Sequence, residues 1–232
     1  MTEIITSEQP FEGILFEQNV MQHGDALTLL RSLPDGCAPL VFFDPQYRGV
    51  LDHLQYGNEG SRQRGRAELP AMTSDYIDAC CREAARALRP SGYLLRWVDT
   101  SHLCQADHLR IADACRCVDL IAWDNLRIGN GYRSRRRGDY LLVLQKLPLV
   151  AKSTWRDHAI PSRWAEKVDR SMHPHIKPIG LITRLIGAVT LHQLGRNFIG
   201  CDLRLAISTP AQRFSTFRCT APRGGLDQIA AE

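Results

Sequence analysis

The sequence predicts an α/β fold, doubly wound around a mainly parallel sheet, and three observations carry that expectation. Strand-like and helix-like apolar patterns alternate along the chain, the order that parallel strands joined by crossover helices require. Leu40, Val41, Phe42 and Phe43 form a continuous apolar run between turn signals, as a strand buried on both faces does. At 232 residues the chain is long enough to bury a full core without disulfides or metal, so residues 1–232 are expected to form one domain.

Taken in order, residues 20–23 suit a short strand ending at Gly24-Asp25, and residues 26–33 carry a helical pattern stopped by Pro34-Asp35-Gly36. The strand through Phe43 ends at Asp44-Pro45. Residues 48–71 are polar, rich in Gly and Arg and without periodicity, and connections of that length in compact domains are usually functional. Thr73 or Ser74 is placed to cap a helix whose apolar face reads Ile77, Cys80, Cys81, Ala84, Ala87 and Leu88, with Pro90-Ser91-Gly92 as its end. A strand over 93–98, a helix over 101–114 and strands over 118–123 and 140–144 follow. Residues 146–170 break the pattern with Pro, Trp and charge and suggest an irregular insert. Pro178 then opens a helix with Ile179, Ile182, Leu185, Ile186 and Val189 as its stripe, and a strand over 197–201 ends on Asp202.

Composition narrows the function classes. The eight cysteines include no C-x-x-C pair, which argues for reduced thiols and against both a disulfide framework and a metal site. No run of about 18 apolar residues is present, so no membrane helix is expected. Residues 1–10 lack a basic region followed by an apolar one, which leaves a cytoplasmic protein as the expectation. The net charge of +4 is modest, but it is unevenly placed. Arg62, Arg64 and Arg66 form one cluster and Arg133, Arg135, Arg136 and Arg137 another, both in loop-like sequence. Such clusters suit DNA phosphate contacts or, alternatively, a solvated face.

The sharpest feature is Phe42-Phe43-Asp44-Pro45-Gln46-Tyr47, where a carboxylate, a proline and an aromatic directly follow a buried strand. Ligands of open α/β sheets bind at the carboxyl ends of strands. An exocyclic amino group on a nucleobase is a poor nucleophile, because its lone pair is delocalised into the ring. A carboxylate accepting one N–H and a backbone carbonyl accepting the other would raise its reactivity, and an aromatic ring can stack on a base extruded from the duplex. On these residues alone, a strand-ending Asp-Pro turn with a packed tyrosine is the stronger reading.

Six segments in order resemble the β-class amino-group DNA methyltransferases. Asp44-Pro45-Gln46-Tyr47 is similar to the family's [DNS]PP[YF] motif. Gly24-Asp25-Ala26 with Leu30 and Leu33-Pro34-Asp35 is similar to the segment that precedes it. Leu88-Arg89-Pro90-Ser91-Gly92 resembles an L-K-P-G-G turn, and RRRGDYLLVLQK, over residues 135–146, resembles an RR-x-x-E strand. His173-Pro174-His175-Ile176-Lys177-Pro178 matches H-P-x-x-K-P, and residues 194–202 match L-G-R-x-F-I-G-x-[DE]. The resemblance spans roughly residues 20–204 and implies the Rossmann-like fold of S-adenosylmethionine-dependent methyltransferases.

What it implies for the site is specific. Asp44, the Pro45 carbonyl and Tyr47 would hold the target amino group. Asp25, Asp44, His173, Lys177, Pro178, Gly200 and Asp202 would line the S-adenosylmethionine site, with Asp202 accepting the ribose hydroxyls. Residues 146–170 stand where a target-recognition region is expected. Double-stranded DNA would be the partner, a homodimer is compatible, and no metal is needed. Asp at position 44 favours adenine N6 as the acceptor. Cytosine N4, RNA or protein amide methylation and a catalytically silent DNA-binding protein are the alternatives.

Two departures qualify the resemblance. Gln46 stands where the family has a second proline, a minor change because the carbonyl used belongs to Pro45. More seriously, the family's strand and glycine-rich cofactor turn should follow the helix after Pro178, yet Thr190 runs directly into Leu191. Roughly 15 to 20 residues are lacking, about a strand, a turn and the start of a helix. Residues missing from the sequence as written, a deletion that keeps DNA contacts but not the cofactor, or another segment routed into the gap would each account for this.

Overall fold

A computed structural model of the chain describes residues 3–7, 19, 21–45, 72–129, 135–169, 176–189 and 197–202. The strands are β1 (Glu3–Ser7), β2 (Met21–His23), β3 (Ala38–Phe43), β4 (Leu88–Val98), β5 (Cys115–Asp124), β6 (Gly138–Lys146), β7 (Arg163–Ala165) and β8 (Asn197–Asp202). The helices are α1 (Ala26–Ser32), α2 (Ser74–Ala87), α3 (Thr100–Cys104) and α4 (Ile179–Val189), with a 3-10 turn at Asp107–Ile111.

All eight strands join one sheet in the order β2-β8-β1-β3-β4-β6-β5-β7. Their pairings set six strands in one direction, with β1 and β6 running against them. Helices cover both faces, so the expected doubly wound α/β architecture is present. On one face Val41, Phe43, Leu94 and Leu144 meet α1 and α2 through Leu29, Leu30, Ile77 and Cys81. On the other, Leu40, Leu95, Trp97 and Val143 meet Leu181, Leu185 and Val189 of α4. β3 is buried at all six positions, which explains its unbroken apolar sequence.

The centre of the sheet differs from the expected parallel arrangement. β1 pairs antiparallel with both β3 and β8, with Ile5 opposite Val41 on one side and Ile199 on the other. β3 and β8 therefore run in the same direction with an opposed strand between them. Another segment, β1, occupies the place beside the Asp44 strand. The physical reason is backbone satisfaction, since an empty slot there would leave two buried rows of N–H and C=O groups without partners. The join at Thr190-Leu191 itself lies outside the described residues.

Other elements depart in detail. The helix expected over 101–114 is instead α3 and a separate 3-10 turn, broken where Ala106 adopts φ 55°. β4 begins at Leu88 rather than after Gly92. Ser91, at φ 62°, turns the chain within the strand, opposite a register shift between Ala38 and Leu40. The α4 stripe is rotated from the expected one: Leu181 and Ala188 are buried, while Ile179 is exposed. The insert over 146–170 supplies an edge strand, β7, paired in parallel with β5. Among the described residues no helix is long and apolar enough to cross a membrane.

Candidate active site at the carboxyl edge of the sheet

Three strand ends converge on one edge. β3 delivers Asp44-Pro45, β2 delivers His23 and then Gly24-Asp25, and β8 delivers Asp202, which pairs in register with His23. β1 meets the same edge with its first residue, since Glu3 pairs with both Phe43 and Cys201.

Asp44 faces the α4 side. Its Oδ1 lies 3.1 Å from Lys177 Nζ, and the same ammonium lies 3.5 Å from Asp139 Oδ2. Lys177 Nζ also stands 4.9 Å from the centre of the Trp97 ring, whose edge meets Trp123 at 5.9 Å. An ammonium on an aromatic face gains both a cation–π contact and a partly dehydrated setting. Burial pushes the Asp44 carboxyl above the ordinary carboxylate range, Lys177 draws it back, and Asp139 pushes it up again. Asp139 is placed by Gly138, where a Cβ would fall 1.5 Å from the Trp123 carbonyl oxygen, so only glycine permits this approach of β6 to β5.

Lys177 is held by the insert. Glu166 Oε1 accepts the N–H of Gly180 at 2.9 Å and its Oε2 that of Leu181 at 3.1 Å, closing the first turn of α4. Trp164 Nε1 donates to the same carboxylate at 2.7 Å, and Trp123 Nε1 to the Glu166 carbonyl at 2.9 Å. Further along, Arg184 makes a two-pronged pair with Asp157 at 2.6 and 3.1 Å. The insert thus fastens α4 to the sheet, a role its irregular sequence did not announce. Trp155 and Trp164 are partly buried against the core, in keeping with packing rather than base stacking.

Asp25 is committed locally. It caps α1, its Oδ2 accepting the Thr28 N–H at 2.8 Å and hydroxyl at 2.9 Å, while the Tyr76 hydroxyl donates to Oδ1. Burial pushes its carboxyl up, but the hydrogen bonds from Tyr76 and Thr28, with Arg31 nearby, outweigh that and leave it below the ordinary range. The Tyr76 hydroxyl is pushed far up by burial and by Asp25.

The basic cluster is partly spoken for. Arg137 pairs with Asp124 at 3.0 Å, and Arg136 pairs with Asp139 and donates from Nε to the Gly138 carbonyl at 3.0 Å. Arg135 is exposed. Gln46, Tyr47, Arg62, Arg64, Arg66, Arg133 and His173 lie outside the described residues. The sequence reading missed Asp139 as a site residue, although the acidic position of its RR-x-x-E-like segment marked it. It also missed Glu166, which no motif marks.

The donor set fits S-adenosylmethionine at its rim and not at its centre. Asp202 ends its strand beside β2, where an acidic residue suits a ribose diol. Between β8 and β3, however, stands the start of an antiparallel strand, not a strand end turning into a helix that could cradle the cofactor. Among the described residues no group of three or more His, Cys, Asp or Glu is placed to hold a metal ion.

No family model matches the chain. The Type II methyltransferase M.HhaII of Haemophilus parahaemolyticus is 42% identical over 219 residues, taking in 85% of this chain and 95% of that protein. Because 85% of 232 residues is fewer than 219, that relative carries residues within the matched stretch that this chain lacks. The solved structure of the PvuII cytosine-N4-specific DNA methyltransferase matches with a TM-score of 0.52 at 14% identity, over 77% of this chain and 75% of that one. At that identity the likeness concerns the fold alone.

Proposed function

Because the chain belongs to the β-class amino-group DNA methyltransferases, whose methyl donor is S-adenosylmethionine, we propose that its own acceptor is adenine N6 in double-stranded DNA. The observation that carries this reading is Asp44, an ionisable acceptor at the carboxyl end of a fully buried strand, oriented by Lys177 at 3.1 Å. S-adenosylmethionine, when bound, supplies an electrophilic methyl group. Asp44 accepts one N–H of the extruded base and the Pro45 carbonyl accepts the other, which localises the nitrogen lone pair toward the donor. Tyr47 stacks on the base. Asp202 and Gly200 line the donor's ribose end. The reaction is placed in the cytoplasm, where the DNA is.

The test is transfer of a labelled methyl group to mixed-sequence DNA, followed by digestion to nucleosides. N6-methyladenine in the wild type, lost in Asp44→Ala, is the expected outcome. N4-methylcytosine would overturn the adenine assignment, and label unaffected by Asp44→Ala would overturn the role of Asp44.

A second reading is supported by β1. An antiparallel strand in the central slot favours a protein that keeps its DNA contacts and holds the donor weakly or not at all. Calorimetric titration separates the two: salt-sensitive DNA binding without donor binding supports the silent protein, and donor binding rules it out.

A further inference from the structure

The charges around Asp44 form a chain. Lys177 Nζ reaches Asp44 Oδ1 at 3.1 Å and Asp139 Oδ2 at 3.5 Å, and Asp139 in turn pairs with Arg136. An ammonium has three N–H donors, so both carboxylates and the Trp97 face share one cation. The side chains of Lys177, Asp44 and Asp139 are only 15%, 24% and 22% exposed, which keeps water from screening them fully. Asp44 follows β3 and Asp139 lies in β6, with β4 standing between those two strands in the sheet.

Resting on the role given to Asp44 above, we propose that Asp139 is a positioning residue for methyl transfer: acting through Lys177, it draws the ammonium off Asp44 and so frees an ionised Oδ1 to accept the base N–H. Without Asp139 the lysine would belong to Asp44 alone, occupying the oxygen that the substrate needs. Without Lys177, Asp44 would lose the ammonium paired with it. Arg136 is the fourth member and lies in the arginine-rich segment. A DNA phosphate that engages Arg136 loosens its hold on Asp139 and so strengthens the pull of Asp139 on Lys177.

The groups facing Asp44 can be named element by element. Lys177 comes from the segment before α4, Asp139 from β6, and the neutral Trp97 from β4. Glu3 of β1 pairs in register with Phe43, the residue before Asp44. Burial is the largest influence and raises the Asp44 carboxyl, Lys177 lowers it, and Asp139 raises it. Removing Lys177 therefore moves the carboxyl further up, and removing the charge of Asp139 moves it down.

The experiment follows the Asp44 carboxyl directly by carbon NMR titration of the full chain, assigned by difference with Asp44→Asn, alongside the pH dependence of kcat. Lys177→Met is expected to shift the Asp44 titration upward by about one pH unit or more, and Lys177→Arg to restore it. Asp139→Asn is expected to shift it downward while lowering kcat with little change in KM. Opposite shifts show that both charges act on Asp44, and a lower kcat at little changed KM in Asp139→Asn supports the positioning role, which a merely structural cluster would not produce. Shifts of the same sign, no shift in Lys177→Met or in Asp139→Asn, or an unchanged kcat in Asp139→Asn, overturn it. Failure of the Asp44 role itself is seen separately, as methyl transfer that survives Asp44→Ala while these titration shifts persist.

Discussion

The Glu166 carboxylate closes on the N–H of Gly180 at 2.9 Å, and a Cβ at position 180 would lie 2.8 Å from Glu166 Oε2. The cap and the glycine are therefore one device. In an ordinary exposed helix, Gly→Ala stabilises by about 1 kcal/mol. Here Gly180→Ala displaces the carboxylate and is expected to destabilise by about 1 kcal/mol through loss of the cap. In a Glu166→Ala background the same substitution becomes stabilising. Urea unfolding of the four proteins measures the coupling, and additive effects would contradict it.

Arg96 is buried in the middle of β4, opposite Phe43 and Leu142, with Nε and Nη1 lacking hydrogen-bond partners among the described residues. A desolvated, unmatched guanidinium opposes folding. Arg96→Met keeps the length of the side chain and removes that burden, so the variant is expected to gain about 1–3 kcal/mol in chemical denaturation. A less stable variant would show that the guanidinium is compensated in the folded protein.

Asp25 makes a pH-dependent contribution. Its carboxyl is depressed in the folded chain by Tyr76 and Thr28, against the opposing effect of burial. A depressed acid binds its proton less readily in the folded than in the unfolded state. The stability it confers is therefore present above the ordinary aspartate value and lost as the pH falls through the folded one. Asp25→Ala is expected to lower stability by about 1 kcal/mol at neutral pH, as loss of a helix cap does. The difference from wild type should fade at acid pH, and a constant difference between pH 7 and pH 3 would refute this account of the cap.

The arginine cluster divides by its partners. Arg135 is exposed, whereas Arg137 is paired with Asp124. Arg135→Ala is expected to weaken DNA binding uniformly across sequences and to reduce the salt slope by about one unit. Arg137→Ala should also lower the melting temperature, because Asp124 loses a partner that helps keep its carboxyl depressed, after the Leu126 N–H. Fluorescence anisotropy at several salt concentrations, with melts of both variants, checks the division. Equal melting temperatures would show the Asp124 pair to be idle.

Much of the fold was readable because burial writes itself into local pattern. β3 is apolar at every position it buries, α2 shows its buried face at Ile77, Cys80, Cys81 and Ala84, and Thr73 caps it by accepting the Tyr76 N–H at 3.2 Å. The site was readable to the extent that Asp44 and Lys177 sit in motifs. Their contact at 3.1 Å was not, because it depends on how Glu166 anchors a helix whose carboxylate cap comes from an insert without periodicity. β1 and β7 were missed for a similar reason. Five and three residues long, they owe their strand character to the partners that flank them and not to any alternation of their own.

The placement of β1 also bears on how the molecule is assembled. Glu3 pairs with Cys201, so the middle of the sheet is stitched by residues about 200 positions apart, among the costliest loops a chain this size can close. A growing polypeptide offers β1 early and β8 late. β1 can cover β3 as soon as both are made, but until β8 arrives the other edge of β1 stands as an open template for any extended peptide nearby. The edge exposed to mispairing while the chain grows is thus that of β1, the strand next to the one that ends at Asp44.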